Sequence, residues 1–134
     1  MHTAVLTGSG SVLTWGCNDE GVLGREGPEN EPIEVPIKDP IRLVATGDSH
    51  TIVVTQSDKV YFWGTYRDGS GSMIEVTKVP KILPDIKRRG IKNISKVVSG
   101  AHHTLLLAKG KVYAWGDSEC GKIGRLPGVR RRKV

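Results

Sequence analysis

The sequence predicts an all-β fold, a partial β-propeller of two to three four-stranded antiparallel blades. Three observations predict it. His-Thr and Trp-Gly pairs recur along the chain with a period of about 50 residues. The segments around them are short, rich in β-branched residues and bounded by turn formers. Glycine and proline, 17 and 7 of 134 residues, are too frequent for a long helical bundle, because both disrupt helix interiors.

The repeat is carried by many positions. His2-Thr3 recurs as His50-Thr51 and His103-Thr104, and Trp15-Gly16 as Trp63-Gly64 and Trp115-Gly116. His and Trp are 13, 13 and 12 residues apart in the three copies. Val12, Val60 and Val112 each stand three residues before the Trp. Upstream, Ile41-x-x-Val44-x-x-Gly47 matches Ile94-x-x-Val97-x-x-Gly100. Downstream, Gly21-Val22-Leu23-Gly24 matches Gly121-Lys122-Ile123-Gly124.

Each element follows in order. The chain starts inside a hairpin whose turn is Gly8-Ser9-Gly10. Ile33–Ile37 reads as an outer strand, since its proline is tolerated best at a sheet edge. Ile41–Ala45 supplies a further strand. Thr51–Thr55 is a continuous β-branched run that suits a buried strand. Gln56-Ser57-Asp58 turns it into Lys59–Trp63, where apolar and amphipathic residues partly alternate. Lys78–Leu83 is a second outer strand with an edge proline, and Ile94–Ser99 opens the last unit, whose hairpin turns at Lys109-Gly110. Four strands at this period make a propeller blade. Glycines beside the repeated pairs let neighbouring sheets pack closely, and the tryptophans bring the large buried area.

The divisions are a half blade over 1–25, a second repeat over 26–76, and a third over 77–134 with a basic C-terminal loop. Such an array does not close into a ring and leaves sheet edges open. The chain therefore reads as a fragment or truncated frame, with a self-contained small domain or a ring completed by further copies as alternatives.

Charge divides the chain. Residues 1–80 carry 6 basic and 11 acidic side chains, and residues 81–134 carry 14 and 3. The second part suits an acidic protein or nucleic-acid partner, or is simply a decorated soluble surface. No apolar run approaches the ~18 residues of a membrane span, so no membrane partner is expected. The N-terminus lacks the basic start and apolar stretch of a secretory signal. Cys17 and Cys120 make no disulfide framework. There is no nucleophile elbow, phosphate loop or metal-ligand spacing, so neither bond-making chemistry nor a cofactor or metal is expected. His2, His50 and His103 occupy one repeated strand position and read as structural hydrogen-bonding groups.

The segment Gly47-Asp48-Ser49-His50-Thr51 with Val60-Tyr61-Phe62-Trp63-Gly64 resembles the regulator of chromosome condensation repeat. That resemblance covers nearly the whole chain and implies a seven-bladed propeller of which this sequence is a part. Cys17-Asn18-Asp19-Glu20-Gly21-Val22-Leu23-Gly24-Arg25 and Trp63-Gly64-Thr65-Tyr66-Arg67-Asp68-Gly69 are similar to loops of the family's nuclear branch, which exchanges guanine nucleotide on the small GTPase Ran. In the second of these the generic G-x-L-G turn is absent.

The resemblance implies a GTPase-binding set: Asp19, Glu20, Arg67 and Asp68 in loops after the Trp-Gly strand ends, and Pro36, Ile37, Lys38 and Asp39 in a wedge that displaces the nucleotide site. Asp19 and Asp68 also suit local turn capping, and Ile33–Ile41 also suits an outer strand with a proline-rich connection. By the same resemblance Arg125, Arg130, Arg131, Arg132 and Lys133 dock on nucleosomes or DNA. A solvated tail and a nuclear import signal are the other readings of that run. Lys87, Arg88, Arg89 and Lys92 form a second basic cluster in an expected interblade loop, suited to DNA phosphates. The implied location is the nucleus, on chromatin, with the cytoplasm as an alternative.

Overall fold

The computed structural model describes residues 1–121 together with Ile123 and Gly124. Three antiparallel sheets stand in a row. The first holds β1 (His2–Leu6), β2 (Val12–Gly16) and β3 (Ile33–Glu34). The second holds β4 (Ile41–Thr46), β5 (His50–Thr55), β6 (Val60–Arg67) and β7 (Met73–Ile82). The third holds β8 (Ile94–Ser99), β9 (His103–Ala108) and β10 (Lys111–Gly116). Among the described residues, then, only the middle sheet has four strands. Short 3-10 turns occupy Asp19–Gly21 and Glu119–Gly121, and one helix, α1 (Pro84–Arg88), links the second sheet to the third. Among the described residues no helix is long and apolar enough to cross a membrane.

Hairpin register explains the repeat. His2, His50 and His103 pair with Gly16, Gly64 and Gly116, and each neighbouring Thr pairs with the Trp. The two repeated dipeptides are thus one cross-strand motif. Its glycines have positive φ, and a Cβ on any of them would lie 2.8–2.9 Å from the facing His Cα. No other residue fits that close approach.

The middle sheet is covered on both sides. Along β5, Ile52 and Val54 face the third sheet, packing with Phe62, Ile94 and Leu106. Val53 faces the first, packing with Val12, Val35, Ile41 and Trp63. Every β5 residue is buried, which is why its β-branched run lacks polar alternation. By contrast β1 alternates between half-buried and exposed positions. Only Trp63 of the three tryptophans is fully buried. Gly24 of the first sheet's trailing loop lies on its indole, so close that a Cβ would come within 2.6–2.7 Å of three ring atoms.

Three elements differ from the sequence reading. The outer strand expected over Ile33–Ile37 spans only Ile33–Glu34, because Pro36 has no N–H to give and the Ile37 amide turns back to the Val35 carbonyl at 2.9 Å. Lys78–Leu83 is the end of a longer strand that begins at Met73. Without a G-x-L-G turn, β6 runs on to Arg67 and folds back at Asp68–Ser72. The basic segment 87–92 is not all loop, since Lys87 and Arg88 sit in α1, which starts on Pro84 in the first turn. The sheets are also offset from the sequence divisions. Ile33–Glu34 bonds into the first sheet, and residue 77 falls inside β7.

Two polar clamps fix the connections. Asp58, in the β5–β6 turn, accepts from Arg42 at 2.5 Å and from the Asn93 and Ile94 amides at 3.0 and 3.2 Å. It thereby ties the turn to the start of β8. Desolvation pushes its pKa up, but the Asn93 amide, Arg42 and the Ile94 amide outweigh it and hold the carboxyl low. Arg25 is buried and donates to the carbonyls of Thr14 and Glu31 through Nη2 and of Gly27 and Pro28 through Nη1, at 2.8–3.1 Å. Arg25→Ala is expected to cost about 2–3 kcal/mol, the worth of charge-assisted bonds that order a loop. It should also speed glutamyl-protease cleavage after Glu26 and Glu29. Arg25→Lys should not restore either, because one ammonium cannot span both sides of the loop. Unchanged urea midpoint and cleavage rate would show that the guanidinium orders nothing.

Candidate interaction surface

Equivalent strand ends line up across the sheets. His2 Nε2 lies 2.8 Å from Thr51 Oγ1, and His50 Nε2 lies 3.4 Å from Thr104 Oγ1. Tyr66 adds its hydroxyl to Thr104 at 2.9 Å and stacks on His50 at 4.0 Å. Burial pushes the Tyr66 hydroxyl up, so it remains a neutral donor. The segments following each Trp-Gly therefore leave at one end of the row, here called the upper face. The tight turns 7–11, 56–59 and 109–110 lie at the lower face.

The upper face gathers four of the expected residues. Asp19 is exposed at the head of the first 3-10 turn. Glu20 has a left-handed backbone, φ 63°, and its carboxylate pairs with Arg67 across the first and second sheets. Its carbonyl accepts from Thr65 Oγ1 at 3.3 Å. Asp68 is not in a loop after a strand end but at the tip of the β6–β7 hairpin. Its Oδ1 accepts from the Ser70 hydroxyl at 2.6 Å and from the Ser70 and Ser72 amides at 2.9 and 3.0 Å. The Ser70 hydroxyl bond, with those amides, holds its carboxyl below the ordinary range. All three bonds fall on one oxygen, so Asp68 caps its turn and still presents a carboxylate outward. Gly69 carries the hairpin over the third sheet's loop, where a side chain would overlap the Glu119 carboxylate.

Pro36–Asp39 is placed differently. Pro36 lines a groove of about 800 Å³ between the first and second sheets, which Glu20, Arg25 and Lys78 also line. From there Ile37, Lys38 and Asp39 descend the rim beside Tyr61 and Pro80. Asp39 pairs with Lys59 at 3.0 Å, and that bond raises the Lys59 pKa. Lys59 precedes the first residue of β6 and Arg67 is its last, so the two ends stand roughly 25 Å apart. Asp39 and Asp68 therefore do not share a face. Arg125, Arg130, Arg131, Arg132 and Lys133 lie outside the described residues.

Sequence reasoning missed Arg25, Asp58 and Glu119. The first two act on backbone groups, which no side-chain pattern reports. Glu119 carried a usable signal, since the third Trp-Gly is followed by an acidic loop like the first. Cys17 and Cys120 are free and exposed. Among the described residues no group of three His, Cys, Asp or Glu could hold a metal.

A row of antiparallel sheets stitched by repeated His–Thr bonds, with equivalent loops on one face, defines a partial β-propeller of the repeat-protein class. Residues 9–54 and 94–122 match the Regulator of chromosome condensation (RCC1) repeat. The chain belongs to that family. It is 38% identical to the Homo sapiens regulator of chromosome condensation, over 95% of this chain and 31% of that protein. The Saccharomyces cerevisiae guanine nucleotide exchange factor SRM1 is 29% identical over 93% of this chain and 34% of its own. The Homo sapiens E3 ubiquitin-protein ligase HERC2 is 33% identical over 92% of this chain and 3% of its own. Among solved structures, Saccharomyces cerevisiae Prp20p, described with its binding to Gsp1p and histones, superposes with TM-score 0.82 at 28% identity, covering 94% of this chain and 32% of that one. The chain thus spans about a third of the human regulator and of SRM1.

Proposed function

We propose that this chain supplies part of a guanine-nucleotide exchange factor for a Ran-type small GTPase, promoting GDP release at chromatin in the nucleus. The observation that supports this reading is the upper face, which carries Asp19, the Glu20–Arg67 pair and the turn of Asp68. Exposed carboxylates there suit a basic partner surface. Exchange makes no covalent bond and needs no cofactor. The factor binds the nucleotide-free GTPase better than the loaded one, and by linkage weakens nucleotide binding by the same ratio. A thousandfold faster release corresponds to roughly 4 kcal/mol of differential stabilisation.

The β6–β7 hairpin runs past the level of the Trp-Gly ends and is well placed to displace a nucleotide-site loop. Pro36, Ile37, Lys38 and Asp39 would then touch the GTPase only along the rim. Arg125, Arg130, Arg131, Arg132 and Lys133 are assigned to nucleosome or DNA docking.

The test is release of fluorescent GDP from Ran by the whole protein. Asp68→Ala should slow it about tenfold, the equivalent of about 1.4 kcal/mol. Asp68→Asn keeps an Oδ1 acceptor for the turn and should be slowed similarly. Wild-type rates for Asp68→Asn would remove the carboxylate charge from the interface. The similarity to HERC2 favours a second reading, a protein–protein interaction scaffold without exchange activity. Failure of Ran to bind in every nucleotide state would select it.

A further inference from the structure

The lower face carries a second feature that the exchange reading does not use. Between α1 and the β5–β6 turn lies a cleft of about 370 Å³. Ile82, Leu83, Ile86 and Ile91 form its apolar floor, and Lys59, Lys87 and Lys92 stand around its rim with Ser57. Leu83, Ile86 and Ile91 are buried in the core beneath it, and Ile82, 42% exposed although it ends a strand, is the part of the floor open to solvent.

Among the described residues, nearby carboxylates neutralise only Lys59 of this rim. Asp58 is consumed by Arg42 and two amides, Asp85 pairs with Arg88, and Asp39 pairs with Lys59. Among the described residues neither Lys87 nor Lys92 has an acidic partner. Lys87 and Lys92 thus leave positive charge on the rim that an inserted anion would neutralise.

We infer that this cleft docks an acidic peptide segment that buries one bulky aliphatic side chain between α1 and the β5–β6 turn. The volume accommodates one or two peptide side chains. A nucleic acid would leave the apolar floor unused. No aromatic ring lines the cleft, and the nearby Tyr113 ring is already covered by the Arg89 guanidinium at 5.1 Å, so bases have no stacking platform. The peptide's carboxylates would reach Lys87 and Lys92 while its aliphatic side chain meets Ile82.

The experiment uses the full chain and a fluorescein-labelled peptide, Asp-Glu-Asp-Leu-Glu-Asp-Glu, read by anisotropy. Binding should weaken at least tenfold in the combined Lys87→Glu, Lys92→Glu variant and about threefold in Ile82→Ser. These positions are exposed, and circular dichroism checks that the sheets persist. Replacing the peptide's Leu by Gly should also weaken binding, whereas Lys109→Glu, on the same face beyond the cleft, should change it less than twofold. The inference is overturned if the peptide does not bind, if the double variant binds it equally, or if the Gly peptide binds as well as the Leu peptide. A duplex DNA that binds more tightly, displaces the peptide and shows a steep salt slope would also overturn it, in favour of a nucleic-acid surface.

Discussion

Trp63→Ala is expected to lower the unfolding free energy by about 3–5 kcal/mol, the cost of emptying a large buried aromatic site. A domain holds only about 5–15 kcal/mol in all. The reason for so large an effect is position. Trp63 is fully buried between the first and second sheets, against Val12, Val35, Ile41 and Val53, and under Gly24. The site cannot collapse inward, because its walls belong to two hydrogen-bonded sheets that hold their own spacing. Trp15→Ala serves as the comparison, since Trp15 is only half-buried in this chain. Its loss should be clearly smaller. Urea titrations of the three proteins decide the matter, and equal midpoints for the two variants would refute the sandwiched-sheet account.

The second large effect is acid lability. Burial, then the positive charges of His102, His2 and His103, lower the His50 pKa to about 3. Burial, with the nearby amino terminus, lowers that of His2 to about 4. An unfolded histidine titrates near 6.5. Above pH 6.5 both states are neutral at these positions and stability is at its full value. As pH falls below 6.5 the unfolded chain takes up protons that the folded chain refuses, and stability declines until the folded values are reached. From pH 7 to 5 the loss from His50 alone should be about 2 kcal/mol, with His2, more open to solvent screening, adding clearly less. His50→Gln should flatten this dependence even where it lowers stability at pH 7. A wild-type urea midpoint that stays constant between pH 7 and 5 would show that His50 is not held neutral.

These two residues also mark what could be read from sequence. The His-Thr and Trp-Gly pairs gave away the hairpins because one cross-strand motif recurs wherever sheets must approach closely. They also marked where the loop holding Asp19 leaves its sheet, since equivalent strand ends align. The β6–β7 hairpin was illegible beyond Gly64 because nothing between Thr65 and Thr77 repeats elsewhere in this chain. Helix α1 is five residues long, shorter than any periodicity can show. The position of Pro36–Asp39 relative to Asp68 was illegible for another reason. Its distance from Asp68 depends on the direction in which the chain crosses the rim after β3, which three-dimensional packing decides. Arg25 and Asp58 act on carbonyls and amides, and their worth comes from the loops they close.

Acidic loops crown one end of the strands and lysines cluster at the other, so the described residues carry an electric moment along the strand direction. In the field of a polyanion such a body experiences a torque before any contact forms. It turns its lysine end forward and leaves Asp19 and Asp68 facing solvent, where a cationic surface can meet them uncontested. At 0.1 M salt the reach of that torque shrinks to about 10 Å. Ionic strength therefore governs how often the molecule arrives the right way round.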